Sequence, residues 1–561
     1  MGTEKTYDVI IAGAGPVGLF LACELGLQAT QDDPEDVSVL VLERDALEPT
    51  AEKLAWTTAP LGVRGLNTAS AEIFHRRGLT DGVFGPKAAE KRVASVVELQ
   101  EKTKGGFAFG GHFAGMMLDL NKIDTGSDCF KYKLPGPSAL GGPTTLDRVT
   151  RALRERLKGS KGVELLGGAE VVGLSDNHHD DDGGGVAVRT SDGKEYRGRF
   201  VVGCDGGHSA VRKAAGFDFA GTDAELVGYS ALCEFDDPQG RVKDGFWRTR
   251  GGIFIAGSQR GDKEGQTHFI CMDNDAASLK ALDRSRPVTR EHLEAVARRV
   301  VGHGDLGIKE VHRASSWTDR STQATTYRRG RVLLAGDSAH IHSPLGAQGL
   351  NAGIGDAANL GWKLGRVARG RAPAGFLDTY TRERHPVGAG VLEWSRAQVA
   401  TLRPDASSRA LAGLVRDLAG TPGGTTYFMD RIWGLSHRYD MSGGGHMQGQ
   451  GQHPMAGFSA PDFELGLAGG TRRLGELMRS GRGLLVDLGH EDVNGPELAN
   501  LAQDEAWFPR IDYIGASAKD DLGIRALLVR PDGVVAWAAG KNALELDEAK
   551  KALSRWFGTG M

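Results

Sequence analysis

Apolar residues fall in two kinds of run along the chain. Tyr7–Ala12 (YDVIIA) and Val37–Leu42 (VSVLVL) are continuous and rich in β-branched residues, and Pro16–Leu27 between them is apolar with helical composition. Strand, helix, strand, with both strands apolar on each face, predicts a parallel sheet covered on both sides by helices. The polar stretch 31–36 lengthens the connection. Over 145–157, Leu146, Val149, Leu153 and Leu157 recur at helical spacing. Short strands are expected near 163–166, 169–174, 186–190 and 195–202. Residues 224–272 carry three strand-like runs, ELVGYSALCEF, GIFIAGS and QTHFICM, which predict a mainly antiparallel sheet inserted into the first domain. A helix at 289–301, a strand at 311–317, a strand at 331–335 that rejoins the first sheet, and long helices near 350–369 and 376–400 follow.

Beyond the glycine-rich connector 442–454 (SGGGHMQGQGQHP) the order changes. A helix is expected at 471–479, a strand at 482–487, a helix at 495–502, strands at 509–514, 524–529 and 534–539, and a helix at 544–556. Pro531-Asp532-Gly533 signals a hairpin turn between the last two strands. The expected division is a nucleotide-binding domain in three pieces (1–190 with some strands of the inserted domain, 191–222, and 326–440), an inserted substrate domain (223–325), a linker (441–460) and a small α/β domain (461–561).

Composition narrows the partners. Basic side chains number 68 and acidic ones 72, a net charge of −4, with no basic stripe or tail; nucleic acid is not an expected ligand. Five scattered cysteines without a CxxC read as reduced thiols of a cytoplasmic protein. The apolar stretch 9–27 is broken by glycines and Glu24, so neither a signal peptide nor a membrane span is expected there. The loop 175–185 (SDNHHDDDGGG) reads as a solvated hairpin tip, and no metal is expected. Glycine, at 82 of 561 residues, is near twice the usual ~7%. It shows no G-X-Y period, which excludes collagen.

Three motifs give part of that glycine a use. Gly13-Ala14-Gly15-Pro16-Val17-Gly18 joins the first strand to the first helix. Gly13 permits a tight turn, Gly15 lets backbone approach a pyrophosphate, and Gly18 allows close helix–strand packing. The helix start offers free N–H groups. Glu43, at the end of the second strand, is placed to accept the ribose hydroxyls, with Arg44 beside it. Gly203-Cys204-Asp205-Gly206-Gly207 follows an apolar strand, and Ser209 and Arg212 open the next helix. Asp205 and Arg212 read either as nucleotide-orienting groups or as staples of a turn. Gly336-Asp337-Ser338-Ala339-His340 ends a third strand, so Asp337 points from the carboxyl edge of the sheet, where ligands bind. The loop that follows, with Pro344, Gly346, Gly349, Leu350 and Asn351, presents backbone N–H groups at the start of a helix.

In this order and spacing the motifs resemble the GxGxxG, DG and GD motifs of the single-component (class A) flavoprotein aromatic hydroxylases, over about residues 7–400. HPMAGFSAPDFEL, RGLLVDL and LLVRPDGVVAWAA resemble the thioredoxin-like tail of the polyketide-tailoring and phenol hydroxylase branch; no cysteine follows Cys271, so this tail has no thiol redox chemistry. The resemblance implies a Rossmann-type α/β FAD-binding domain, an inserted antiparallel substrate domain and a thioredoxin-like tail. It implies FAD, reduced by NADPH or NADH, and transfer of one atom of dioxygen to an aromatic polyketide or phenol through a C4a-hydroperoxyflavin. Gly13, Gly15, Pro16, Gly18, Glu43 and Arg44 would hold the adenosine half, Gly336 and Asp337 the ribityl–phosphate region, and Pro344, Gly346, Gly349, Leu350 and Asn351 the ring. Asp205 and Arg212 match positions linked to flavin and nicotinamide handling. The ring loop departs from the family's Gly-Gly-Gln-Gly by having Ala347. Arg64 is the match offered for the family's arginine after the second strand, and His340 is a candidate base or a brace for the loop. Tyr229, Phe246, Trp247 and Phe254 are candidate walls for a flat ligand under the inserted sheet. The same scaffold also supports Baeyer–Villiger insertion, epoxidation or flavin-dependent reduction without oxygen transfer. A monomer or homodimer is expected.

Overall fold

The computed structural model describes residues 5–27, 37–91, 96–132, 141–174, 185–258, 264–280, 282–283, 286–441, 453–489, 496–508, 510–519, 522–541 and 544–558. The His178–Asp182 loop and most of the 442–454 connector lie outside the described residues. The elements that position the site are β1 (Thr6–Ala12), α1 (Pro16–Leu27), β2 (Val39–Glu43), β3 (Val63–Leu66), α2 (Thr68–Arg76), α3 (Leu146–Leu157), β4 (Val163–Gly167), β5 (Glu195–Gly203), β6 (Val227–Asp236), β7 (Gly245–Arg248), β8 (Gly252–Ser258), β9 (Gln266–Asp273), α4 (Arg290–Val301), β10 (Gly307–Thr318), β11 (Val332–Leu334), α5 (Gly349–Ala368), α6 (Asp378–Leu402), β12 (Gly483–Asp487), β13 (Ile511–Gly515), β14 (Ile524–Val529) and β15 (Val535–Gly540).

The apolar runs do what their pattern predicts. β11, β5, β1, β2 and β4 lie side by side in that order and all run parallel. β1 and β2 are buried on both faces, with α1 against them and α5 packed on α1. The carboxyl ends of β1, β5 and β11 carry the three motifs, so one sheet edge collects them.

The inserted sheet runs β7-β8-β9-β6-β10, antiparallel throughout. Its outer face packs on α4: Val227, Tyr229, Ala231, Cys233, Phe254, Phe269 and Cys271 form one core with Leu293, Val296 and Val300. Its inner face, with Ile253 and Met272, meets Phe113, Leu345 and Val399 of the first domain.

In the tail, β13-β12-β14-β15 pair as one parallel and two antiparallel contacts. The Asp532-Gly533 hairpin forms, with Gly533 at φ 85°. The helix expected at 471–479 is instead a strand, Gly470–Arg473, followed by a 3-10 turn, Leu474–Met478. Leu474 and Met478 are buried, at a spacing that reads as helix in sequence, but Gly470–Arg473 pairs with Glu464–Leu467 and takes the first half into a sheet. Helices Ala51–Thr57, Thr68–Arg76, Ala406–Ala419 and Pro422–Ile432 add to those read from the pattern.

The tail is joined to the first domain through buried charge. Arg77 grips both carboxylate oxygens of Glu24 on α1 (2.6 and 2.7 Å) and donates to the carbonyls of Met478 and Pro531. Glu24, which breaks the apolar run of the first helix, is thus fully used. Arg530 reaches both oxygens of Glu383 on α6, at 2.8 Å each, and Lys363 of α5 donates to the same carboxylate at 2.8 Å.

Candidate active site

The first glycine turn is built by steric necessity. Gly13 stands at φ +103°, and a Cβ there would lie 2.4 Å from the carbonyl oxygen of Cys204; at Gly18 it would lie 2.0 Å from the oxygen of Gly13. Both positions must be bare for β1, β5 and α1 to close together. Gly15 differs: among the described residues nothing lies within 4 Å of its Cβ position, so that side of the turn is open at the start of α1. Glu43 is buried at the end of β2, and its Oε2 accepts the N–H of Ala14 at 2.7 Å. The acid and the phosphate turn are therefore held in one unit. Arg44 is exposed and turns to Asp45 at 3.6 Å.

Asp205 Oδ2 accepts the N–H groups of Ala210 and Val211 (2.7 and 3.1 Å), while its Oδ1 is buried without a partner among the described residues. Arg212 donates to the carbonyls of Ser338 and Gly207, both at 2.9 Å, and stacks on Phe219. Each side chain grips backbone, and together they tie the second motif to the third. Asp337 is exposed in the turn after β11. A Cβ at Gly349 would lie 3.7 Å from its Oδ1 and 3.4 Å from His342 Nε2, so Asp337 stands beside the first residue of α5. The residue before that helix, Gln348, supplies no side-chain cap. The positive end of a 20-residue helix is bare toward the loop. Asn351 fastens this end to β3: its Oδ1 accepts Asn67 N at 2.9 Å and its Nδ2 donates to Gly65 O and Ala347 O. Pro344 is exposed, Leu350 half-buried, and Gly346 at φ +86° turns against Gln398.

His340 is fully buried, with Nε2 2.8 Å from Asp356 Oδ2. Asp356 also accepts Gly336 N and Arg384 Nε; the Arg384 guanidinium and the His340 contact hold its carboxyl below the usual range despite burial. Burial and the bond to Asp356 fit the role of a brace for the loop.

A family model for the FAD binding domain matches residues 6–395, and one for the aromatic-ring hydroxylase C-terminal domain matches residues 453–560. A Streptomyces rimosus protein named 12-dehydrotetracycline 5-monooxygenase/anhydrotetracycline 6-monooxygenase is 36% identical over 98% of this chain and 99% of its own. A Claviceps purpurea protein named as a monooxygenase is 44% identical over 99% of both. The solved structure of OxyS anhydrotetracycline hydroxylase from Streptomyces rimosus superposes with TM-score 0.77 at 34% identity, covering 99% of each chain. The chain belongs to the FAD-dependent aromatic hydroxylases.

The hydroxylase's own residues fit FAD. The bare Gly15 flank, the buried Glu43, the unpartnered Asp205 Oδ1, the exposed Asp337 and the uncapped start of α5 line one sheet edge and carry the donors and acceptors a dinucleotide requires.

The substrate-wall candidates divide by strand alternation. Phe246 lies on the inner face, where a Cβ at Gly115 would touch its ring. Tyr229 and Phe254 are on the outer face, in the α4 core, and Tyr229 OH pairs with His292 at 2.8 Å. Trp247 is 42% exposed and stacks on Phe254. Aromatic character drew attention to these three, but neighbours in a strand point to opposite faces. The alternation itself points to Ser230, His268, Ile270 and Trp317, which the aromatic signal passed over. Arg64 sits on β3 beside Gly65, with Nη1 bound to the carbonyls of Leu61 and Val63.

Proposed function

We propose that the hydroxylase uses NADPH or NADH to reduce FAD and places one atom of dioxygen on an electron-rich ring of a polycyclic polyketide or phenol. Reduced FAD supplies the electrons that activate dioxygen. Gly13, Gly15, Gly18 and Glu43 bind the adenosine half, and Asp337 binds the sugar-alcohol chain. The bare end of α5, with Gly346, Gly349 and Asn351, favours negative charge on the ring. The observation that carries the reading is the placement of a broad inner sheet face, with Ile253, Met272 and Trp317, against Leu345 of that loop. A flat substrate seated there lies next to the ring and out of water. The relatives named for anhydrotetracycline and rifampicin support a polycyclic substrate. Cys23, Cys204, Cys233 and Cys271 are free thiols, which fits a cytoplasmic setting. The test is stoichiometry: with a phenolic substrate, one reduced nicotinamide and one dioxygen are consumed per hydroxylated product. Nicotinamide oxidation with reduced substrate and no oxygenated product would make the protein a reductase instead.

A further inference from the structure

A helix on the surface of a globular domain turns its apolar stripe to the core. The helix Ala406–Ala419 does the reverse. It buries Ala412 and Ala419 and half-buries Val415, while Leu411, Leu414 and Leu418 are 45, 63 and 58% exposed. Their spacing of three and then four residues sets the three leucines in one row along the outside. The next helix, Pro422–Ile432, packs on this one and exposes Tyr427, with the Arg431 guanidinium 3.5 Å over its ring.

The charge around the row is mostly of one sign. Arg409 and Arg416 stand on the helix itself, and Arg248 of β7 is close to both: after burial, their charges are what hold its guanidinium below the ordinary value. Among the described residues Arg248, Arg409, Arg416 and Arg431 have no carboxylate partner. Arg248 donates to the carbonyl of Arg403, Arg409 to that of Pro404 and Arg431 to that of Tyr427. Asp405, at the N-cap, is taken up by the N–H and hydroxyl of Ser408 at 2.9 and 2.6 Å. Asp417 is the acid within the helix. Four guanidiniums against that carboxylate do not complement a second copy, which would bring the same charges to the same face. They complement an anionic surface. The row is also the convex side of a helix, which suits a deformable plane.

The other side of this helix reaches the substrate end. Val415 packs, with Phe246 and Trp317, on the cluster that holds Phe113, Val399 and Leu345 of the ring loop. One helix therefore separates the site from the outer row.

Resting on the hydroxylase reading above, we propose that the Ala406–Ala419 helix docks the enzyme on an anionic phospholipid surface. Leu411, Leu414 and Leu418 enter the acyl boundary and the arginines meet the headgroups. With 14 residues the helix lies on such a surface and does not cross it. A flat apolar substrate dissolved in the bilayer then meets the enzyme beside Val415, without passing through water.

The test floats the FAD-loaded full-length protein through a density gradient with vesicles of phosphatidylcholine, alone or mixed with phosphatidylglycerol. The wild type is expected to rise with the mixed vesicles, to bind phosphatidylcholine at least about tenfold more weakly, and to be released from the mixed vesicles by about 1 M salt. Arg409→Gln and Arg416→Gln are expected to weaken mixed-vesicle binding about fivefold each. Leu411→Ser, Leu414→Ser and Leu418→Ser together are expected to weaken it by about tenfold or more, with flavin content, melting temperature and turnover of a water-soluble phenol unchanged. Each replacement alone should cost about threefold, so the reading does not depend on the triple variant folding. The proposal is overturned if the wild type stays at the bottom with both vesicles, if it binds both equally, or if no leucine replacement weakens flotation. It is also overturned if light scattering shows a wild-type dimer that the triple variant splits, which would give the face to a second copy. Flotation involves no turnover, so a wild type that floats but forms no oxygenated product would count against the hydroxylase reading and leave the docking surface standing.

Discussion

Ala347 stands at φ 53°, a left-handed conformation that costs a residue with a side chain roughly 1–2 kcal/mol. The family's glycine at this place would sit there without strain, so the one departure in the ring loop falls at the position where it matters conformationally. Asp337 is the opposite case, an exposed carboxylate at the start of α5. Asp337→Ala is expected to fold normally and lose bound flavin, read as the ratio of 450 nm to 280 nm absorbance after purification. Full flavin occupancy would remove Asp337 from the site. Gly18→Ala puts a methyl 2.0 Å from Gly13 O; α1 must then leave the sheet, and both flavin content and melting temperature should fall. Glu72 makes a pH prediction. It is buried against Arg76 and Ser459, and burial pushes its carboxyl up to about 7. The folded protein keeps a proton there that the unfolded chain releases near 4.5, so between these values Glu72 makes stability fall as pH rises, by at most about 1.4 kcal/mol per unit. Urea midpoints of Glu72→Gln should therefore gain on the wild type from pH 5 to pH 8; a constant difference would contradict the burial argument.

At the scale of elements, what was legible in the sequence followed from burial on both faces. β1, β2, α1 and α3 are found within two residues of their pattern because nothing but core explains such runs. The first glycine motif was legible because backbone contact leaves no room for a side chain at Gly13 and Gly18. The inserted sheet was legible as strands but not by face: Tyr229 and Phe246 look alike in sequence, and only pairing shows that one faces α4 and the other the site. Charged residues carried no sign of their partners. Arg530, Asp532, Glu383, Lys363 and Asn359 form one connected buried network between the β14–β15 hairpin, α5 and α6. Their sequence separation hides it. Arg530→Met leaves Lys363 and Asp532 around a carboxylate that has lost two of its donors, and is expected to cost about 3–5 kcal/mol in chemical unfolding. A loss under 1 kcal/mol would mean that the hairpin is not held through this charge.

Across the whole molecule, the tail is a wall of the first domain. Trp362 of α5 packs on Trp556 and Phe557, and Arg366 donates to the carbonyls of Trp556 and Gly558. A chain ending at residue 441 exposes this seam and leaves Glu383 without Arg530; it is expected to aggregate or to lose flavin, by size-exclusion chromatography and absorbance. A soluble, yellow truncated protein would show the tail to be dispensable. Among the described residues no helix is long and apolar enough to cross a membrane. The motifs at one sheet edge, the bare helix end and the inserted face together describe an enzyme that adds oxygen to an aromatic ring. Mass spectrometry of product formed under ¹⁸O-labelled dioxygen, from a panel of polycyclic phenols, tests this most directly. One labelled atom on the ring is the expected result. Label inside a lactone would place the chemistry in Baeyer–Villiger insertion, and product without label would contradict oxygen transfer altogether.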